Sequence, residues 1–413
     1  MKRREWSLYG LGLCVLILVA FRSGSAHVPI TTKVRFTREV IRIFQQNCLG
    51  CHRPGGIAPF SLASYEEARP WAKAIKEELL EKRMPPWNAL KGFGDFRNAP
   101  PLMQNDVDLV VNWVEGGVPR GDAKDLPPEP LISSDWPLGV PDRVVELPVV
   151  EVAADADEFR CLPVPLSLGR DVWVSAFDLD PGNGTVVHCA TFYRERREEE
   201  PKSYADGREI ASPGQSCPPP GEILGTWVPG LTPAHLSPGI GYRISPETRL
   251  VARVHYRGRG EATVVHSRIG LYFSRSGRNR PITLISFTSP SERIPPGESR
   301  HALRLQHIVE SDLAAVAVLP LAHPLLVSLQ VTAYRPDNTA TVLLWTRGSR
   351  FDWRPTYIYK EPVPLPRGTR LVVTAYFNNS SENPFMENES PKPVRLSEIT
   401  PDSLCTLLVV PEK

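Results

Sequence analysis

The segment "QQNCLGCHRPGG" (residues 45–56) contains a Cys-x-x-Cys-His motif formed by Cys48, Cys51 and His52. Three chemistries use this pattern: covalent haem, a zinc site and a redox disulfide. For haem, the two thiols add to the vinyl groups of one porphyrin, and the histidine that follows ligates the iron. Zinc would need a second Cys/His pair nearby, whereas the next cysteine along the chain is Cys161. The motif therefore predicts covalently attached haem c.

The methionines near the motif are candidates for the second axial ligand of the haem iron. Met84 lies in "KRMPPW", where two prolines favour a rigid loop that could hold the thioether over the iron. Met103 lies at the edge of a predicted helix and is more simply explained by packing. We predict that His52 and Met84 ligate the haem iron, a pair typical of a six-coordinate haem that transfers electrons.

Three predicted helices would position the motif. The first, "REVIRIFQQN" (38–47), ends immediately before it, and the second begins at the capping box "SYEE" (64–67). The third carries an apolar stripe at helical spacing from Val107 to Val114, followed by two glycines. These elements predict a small all-α cytochrome c domain over residues 33–122.

The first residues resemble an export signal. Three basic residues precede an apolar run from Leu8 to Phe21, and "SGSAH" then supplies small residues for cleavage. We predict a signal peptide over residues 1–26, with an uncleaved membrane anchor as the alternative. Either alternative predicts a periplasmic or cell-envelope location, where a redox Cys-x-x-Cys of the cytosolic kind is less expected.

The remainder of the chain predicts strands. Residues 123–145 form a proline-rich segment without periodicity, which indicates a linker. Short apolar segments separated by Pro, Gly and Asp turns follow it. The predicted fold class is therefore multidomain: the all-α cytochrome c domain, then an all-β pair of antiparallel sandwiches at 146–285 and 286–413.

One strand histidine can be assigned to a face. In "RLVARVHYR", alternation places Leu250 and Tyr256 on the apolar face and His255 with Arg253 and Arg257 on the other. We therefore expect His255 to lie on the solvent side of its sheet. There it becomes a candidate ligand only if a second ligand-bearing strand lies beside it.

The charge of the chain excludes one class of partner. The 48 basic and 46 acidic residues are balanced, and no basic block is interleaved with aromatic residues, so nucleic acid is not an expected partner. No hydrolase or kinase motif is found, and no catalytic residue is predicted. The expected partners are a redox partner protein or a small-molecule reductant, with membrane contact only through an uncleaved N-terminal segment.

Several segments resemble the copper type II, ascorbate-dependent monooxygenases, the family of peptidylglycine α-hydroxylating and dopamine β-monooxygenases. They are "TVVHCATFY", "GEILGTWVPG", "LSPGIGYRI", "VARVHYR", "LPLAHPLLVSLQVTAYRPDNT" and "PLPRGTRLVVTAYFNN". The N-terminal "CHRPGGIAPFSLASYEEARPWAKAI" with "RMPPW" is similar to the cytochrome c domain of some bacterial members. The resemblance implies two separated coppers on two β-sandwiches, one storing an electron and one binding dioxygen.

For the electron-storing copper, the family has an adjacent His-His pair and a third histidine in a His-Tyr strand. This chain has His188 and Cys189 at the pair and retains His255. The resemblance implies either copper held by two imidazoles and a thiolate, or no metal if Cys189 forms a disulfide. A regular strand points adjacent side chains to opposite faces, so joint ligation by His188 and Cys189 requires a twist or bulge.

For the dioxygen-binding copper, bacterial members of the family have His-x-His and a later methionine. This chain has Leu321 at the first position, His323 at the second, and Leu404 where the methionine would fall. Leucine does not donate to a metal, so the resemblance implies a degenerate dioxygen site. Met386 would substitute only if its loop reached the cleft.

The remaining cysteines allow several pairings. Cys161 and Cys217 are the expected disulfide in an oxidising compartment. Cys189 and Cys405 are then left as buried thiols, a second pair or, for Cys189, a metal ligand.

Two functions follow from these observations. The first is an exported c-type haem electron-transfer protein joined to a copper-monooxygenase-like module whose dioxygen site is degenerate. The alternative is an active haem- and copper-dependent monooxygenase that hydroxylates a C–H bond.

Overall fold

The computed structural model describes most of the chain. The described residues are 31–100, 102–128, 136–195, 221–231, 233–320, 323–348, 354–384, 386, 390–399 and 403–412. The predicted signal peptide and part of the predicted linker lie outside them. Within these ranges, no helix combines the length and the apolar character needed to cross a bilayer.

The described helices are short and, with one exception, lie before residue 126. They are a π-helical turn (Phe36–Val40), α1 (Ile41–Asn47), α2 (Tyr65–Ala68), a 3₁₀ turn (Arg69–Trp71), α3 (Ala72–Leu80), α4 (Gln104–Glu115), a second 3₁₀ turn (Ala123–Asp125) and α5 (Leu396–Ile399). The capping box predicted at α2 is confirmed, because Ser64 Oγ accepts from the Glu67 amide and the Glu67 carboxylate accepts from the Ser64 amide. Gly116 caps the end of α4, as predicted.

Aromatic side chains form the core between these helices. Phe36 and Phe44 pack edge-on at 6.1 Å between ring centroids, and both contact the buried Trp113 of α4. The Trp113 indole N–H donates to the Pro119 carbonyl oxygen at 3.1 Å, which satisfies its buried polar atom. This packing holds α1, whose end leads directly into Cys48.

Eleven described strands make up the first β unit (residues 143–281). They are β1 (Arg143–Glu146), β2 (Val150–Val152), β3 (Asp157–Val164), β4 (Val172–Asp180), β5 (Val187–Glu195), β6 (Gly221–Trp227), β7 (Ile240–Ile244), β8 (Leu250–Arg257), β9 (Thr263–Val265), β10 (Arg268–Phe273) and β11 (Arg280–Pro281). Their sheets have the orders β1-β10-β4-β7-β11, β3-β8-β5-β6 and β2-β9. The pair β7-β11 is parallel.

Ten described strands make up the second β unit (residues 283–411). They are β12 (Thr283–Phe287), β13 (Arg293–Ile294), β14 (His301–Ile308), β15 (Leu313–Pro320), β16 (Leu326–Tyr334), β17 (Ala340–Arg347), β18 (Tyr357–Leu365), β19 (Arg370–Phe377), β20 (Val394–Arg395) and β21 (Cys405–Pro411). Their sheets have the orders β12-β21-β15-β18, β14-β19-β16-β17 and β13-β20.

The sheet β12-β21-β15-β18 is buried on both faces and is shared by two cores. On β15, Ala314 and Val316 pack in the core of the first β unit, whereas Ala315 and Val318 pack in that of the second. A strand that is covered on both faces has apolar residues throughout and does not alternate with polar ones, and β15 has such a sequence, "LAAVAVLP". The two β units are therefore joined by a common layer.

A segment from the helical part of the chain pairs with the second β unit. We call residues 88–98 the strap. It forms antiparallel bridges from Ala89 to Thr346 and from Phe96 to Tyr359, so it lies between β17 and β18. Phe96 and Ala89 are buried in the second core. The strap thus contributes backbone and side chains to a β unit far from it in sequence.

The predicted fold class is wrong. Among the described residues, strands outweigh helices, at 40% against 14%, and these strands are divided among six small sheets. No self-contained all-α cytochrome domain is evident in the described residues, because the strap belongs to the core of the second β unit. The β region is not a pair of separate antiparallel sandwiches, because one sheet serves two cores and β7-β11 is parallel. Local apolar patterns did not reveal these long-range pairings.

Candidate metal centre

Two histidines and a cysteine meet inside the first β unit. One ligand atom each from His188, Cys189 and His255 can be chosen so that all three lie within 4.8 Å of one another. Their exposed fractions are 6%, 8% and 2%, so water has little access to the cluster. Two imidazoles and a thiol in one buried cluster are a donor set for zinc or copper.

A bulge in β5 brings His188 and Cys189 together. Val187 pairs with Tyr256 of β8 and Cys189 pairs with His255, so His188 is the extra residue on its strand. Because a bulge breaks the alternation of faces, two consecutive side chains can approach one site. The irregularity that joint ligation required is thus present at the predicted position.

Asp157 orients His255. His255 Nε2–H donates to Asp157 Oδ1 at 2.7 Å, which turns the other ring nitrogen, Nδ1, towards His188. The two Nδ1 atoms share a hydrogen bond at 3.0 Å, and a metal bound between them would displace its proton. Two ligands at ~2.0 Å from one tetrahedral ion would lie about 3.3 Å apart, so only a small adjustment separates this geometry from ligation. A carboxylate behind a ligating histidine is the usual outer partner of a metal site.

The predicted solvent exposure of His255 is wrong. Alternation correctly grouped it with Arg253 and Arg257, but His255 is buried because that face of the sheet is covered. Phe159 stacks on the His255 ring at 4.4 Å between centroids, and the Arg253 guanidinium lies 4.1 Å from the Phe159 ring centre. A strand pattern shows which residues share a face but not what covers it.

The electrostatics of the cluster favour a neutral His188. Burial, with the positive charges of His255 and Arg257, lowers the pKa of His188 to about 3. Partial burial opposes ionisation of Asp157, but the His255 hydrogen bond and the Arg257 guanidinium hold its pKa below the usual value. A neutral His188 keeps a ring-nitrogen lone pair, which is the protonation state that metals bind.

The residues of the Cys-x-x-Cys-His motif are placed where α1 ends. His52 Nδ1 lies 3.2 Å from the Phe60 carbonyl oxygen, which can only accept, so Nδ1 donates and Nε2 offers its lone pair. Phe60 also stacks on Trp71 at 4.1 Å and contacts the His52 ring. This is the tautomer that an axial haem ligand needs, and the motif therefore fits iron ligation.

The two motif cysteines are thiols without a disulfide. Burial, with the neighbouring Cys51, raises the pKa of Cys48 to about 12, and burial raises that of Cys51 to about 11. Redox-active cysteine pairs have lowered thiol pKa values, so these raised values oppose the redox-disulfide interpretation. Met84, the predicted second axial ligand, is half-buried in the loop between α3 and the strap.

The described residues of the predicted dioxygen site are not gathered into a ligand cluster. His323 Nδ1 accepts from the Leu325 amide at 3.1 Å, so the neutral ring carries its proton on Nε2 and has no lone pair left for a metal. Burial lowers the pKa of His323 to about 4. Leu404 is fully buried in the second core, and Met386 packs against that core. Leu321 lies outside the described residues.

The structure gives the disulfide state of three of the other cysteines, Cys161, Cys189 and Cys405. Cys161 is disulfide-bonded, and its predicted partner Cys217 lies outside the described residues. Cys189 and Cys405 are not in disulfides. Burial raises the pKa of Cys405 to about 12, as expected for an inert core thiol.

Sequence reasoning missed Asp157 and Phe159, which hold His255. The β3-β8 register puts Phe159 opposite His255 and Asp157 opposite Arg257. No local signal in "ADADEFRC" indicates this pairing, because register is set by contacts nearly 100 residues apart in sequence.

Comparisons with known proteins assign no family. No family model matches the chain, and no curated protein matches it. Among solved structures, the VP2 subviral particle of infectious bursal disease virus matches at 9% identity and a TM-score of 0.18, over 68% of this chain and 80% of that one. The major capsid protein P2 from bacteriophage PM2 matches at 8% identity and a TM-score of 0.22, over 58% of this chain and 99% of that one. Allantoicase matches at 11% identity and a TM-score of 0.16, over 53% of this chain and 76% of that one.

Proposed function

We propose that this chain is an exported electron-transfer protein that binds haem c through Cys48, Cys51 and His52 and a copper ion through His188, Cys189 and His255. Met84 is the proposed second axial ligand of the haem. The observation that carries the proposal is the buried cluster at the β5 bulge, where two imidazoles and a thiol converge. Two histidines and one cysteine are the donor set of electron-transfer copper sites.

When bound, haem iron and copper each supply a one-electron couple. The chain's own residues orient the ligands of each couple and exclude water from the proposed copper site. The Phe60 carbonyl holds the His52 ring, Asp157 holds the His255 ring, and burial keeps water from the His188 cluster. Ligands held rigidly in this way change little between oxidation states, which suits electron transfer more than bond chemistry.

The resemblance to copper monooxygenases extends to the first copper position but not to the second. Hydroxylation would need a second metal that meets dioxygen. In the described residues, His323 directs its proton-free nitrogen at a backbone amide, and Leu404 fills core space. We therefore propose that the monooxygenase-like module lacks dioxygen chemistry and that a redox partner protein or a small-molecule reductant exchanges electrons with the chain.

Metal counting tests the proposal. Protein matured in a haem-attaching periplasm is loaded with copper, desalted and analysed for iron and copper per chain. We expect one covalent haem and one copper, with a visible Cu(II)–thiolate absorption. Cys189→Ser should abolish that absorption, and Cys51→Ala should reduce covalent haem attachment without removing the copper site.

His307→Ala serves as the matched control, because His307 is an exposed histidine outside the cluster. It should retain both metals. A wild-type chain without covalent haem, or one in which copper stays bound after both His188→Ala and Cys189→Ser, would contradict the proposal. Oxygen consumption above that of the Cys189→Ser protein would instead support the monooxygenase alternative.

A further inference from the structure

The loop that carries the Cys-x-x-Cys-His motif lies directly against the first β unit. We call residues 50–57 the attachment loop. The Cys51 thiol donates to the Pro229 carbonyl oxygen at 3.4 Å. In a thioether this sulfur would lose the hydrogen bond but keep the packing contact. The sulfur that would attach haem is therefore in contact with the turn that follows β6.

Two glycines make this contact close. A Cβ on Gly230 would lie 2.1 Å from Cys51 Sγ, and a Cβ on Gly50 would lie 3.0 Å from Gly230 Cα. Gly230 also has φ +73°, a conformation that costs glycine little. The two backbones touch, and a side chain at Gly230 would separate them.

The same turn borders the His188 cluster on its other side. Val228 is buried against Cys189, and Cys51 packs against this pair together with Phe159 and Leu231. A few packed residues therefore link the thiol that would attach haem to the thiol that would bind copper.

Two further contacts hold the attachment loop at the ends of the ligand-bearing strands. Arg259, just after β8, donates from Nη2 to the Ile57 carbonyl oxygen at 3.0 Å. A Cβ on Gly184, just before β5, would lie 3.2 Å from the Gly55 carbonyl oxygen. The loop is thus held on the strands that carry His188 and His255.

We propose that Gly230 is a positioning residue that holds the attachment loop against the metal centre, making the haem on the same chain the immediate redox partner of the copper. This inference rests on the proposed function. Electron exchange between two sites weakens steeply as their separation grows and as packed atoms between them are lost. A Cβ at Gly230 would do both.

The test compares Gly230→Ala with Gly139→Ala. Gly139 also has a positive φ, +87°, but an added Cβ there meets no atom within 4 Å. Both variants therefore carry backbone strain, and only Gly230→Ala disturbs the contact with Cys51. Arg259→Ala is the third variant, because it removes the hydrogen bond to Ile57 without introducing a side chain into the turn.

The readout is the spin relaxation of Cu(II) measured by electron paramagnetic resonance, which is accelerated by a nearby ferric haem. Wild type and Gly139→Ala should show the acceleration, and ferrous haem should remove it. Gly230→Ala should show it reduced several-fold, while iron and copper per chain stay unchanged. Arg259→Ala should show a smaller reduction.

Each outcome has a defined meaning. Wild-type protein with both metals but without accelerated relaxation would overturn the inference and leave the proposed metal sites standing, as would unchanged relaxation in Gly230→Ala. Wild-type protein lacking iron or copper would overturn both. If Gly230→Ala fails to fold, wild-type relaxation in Arg259→Ala overturns the positioning contact and reduced relaxation supports it.

Discussion

The two β units differ in the hydrogen bonding of their histidines and therefore in whether those histidines can bind a metal. In the first, a strand bulge and the Asp157 carboxylate direct His188 and His255 at each other beside a thiol. In the second, His323 Nδ1 accepts a hydrogen bond from the Leu325 amide, and Leu404 fills core space at the position where the family that the sequence resembles has a methionine. A buried histidine becomes a ligand candidate when its neighbours fix the proton on the nitrogen that points away from the site.

The largest expected effect is loss of copper from the first β unit. Removing one of the three proposed ligands, by His188→Ala or Cys189→Ser, should abolish stoichiometric copper binding, because the two remaining donors cannot hold the ion tightly. His323→Ala should leave the copper count unchanged. Elemental analysis after desalting checks both, and equal loss in all three variants would remove the distinction between the units.

The second expected effect is acid sensitivity of the second β unit in metal-free protein. The pKa of folded His323 is about 4, below the roughly 6.5 of an unfolded histidine, so protons favour the unfolded chain. Stability is complete above pH 6.5 and falls as pH drops towards 4, by up to about 3 kcal/mol. His323→Gln should reduce this loss.

Urea denaturation at pH 7 and at pH 4.5 measures the difference. The exposed His307 provides the control, and His307→Gln should keep the wild-type pH dependence. If His323→Gln and wild type lose equal stability on acidification, His323 is not the source of the acid sensitivity.

The third effect tests the orientation of His255. Asp157→Asn removes the charged acceptor of the Nε2 proton, and loss of such an outer partner typically lowers metal affinity by roughly 10- to 100-fold. Copper titration in competition with a chelator should show this decrease. Asp155→Asn, two residues earlier on the same segment, should bind copper as wild type does.

The fourth effect concerns the strap. Gly94 has φ +86°, and a Cβ there would lie 2.6 Å from the Leu343 carbonyl oxygen. We expect Gly94→Ala to lower the free energy of unfolding by about 1–3 kcal/mol. Gly92, with φ +91° and open space around it, is the matched control. Equal destabilisation by Gly92→Ala would show that strain, and not the close approach to Leu343, is responsible.

The smallest effect is expected from restoring a thioether in the second β unit. Leu404→Met conserves volume in a packed core and should cost less than about 1.5 kcal/mol. It should not add a second copper, because His323 still directs its lone pair at an amide. A second bound copper in this variant would show that Leu404 alone separates the two units.

The sequence by itself determined the local features. The Cys48-Cys51-His52 spacing, the Ser64 capping box and the need for a bulge between His188 and Cys189 all depend on residues close together in the chain. Backbone geometry over a few residues is set by those residues, so these predictions required no knowledge of distant partners.

Only the tertiary structure decided which surfaces are covered. Alternation grouped His255 with Arg253, but the burial of that face depends on Phe159 and on contacts that extend to Cys51. The strap and the sheet shared by two cores join segments that lie far apart in sequence. Apolar patterns show that a face needs a cover, whereas the identity of that cover follows from long-range packing.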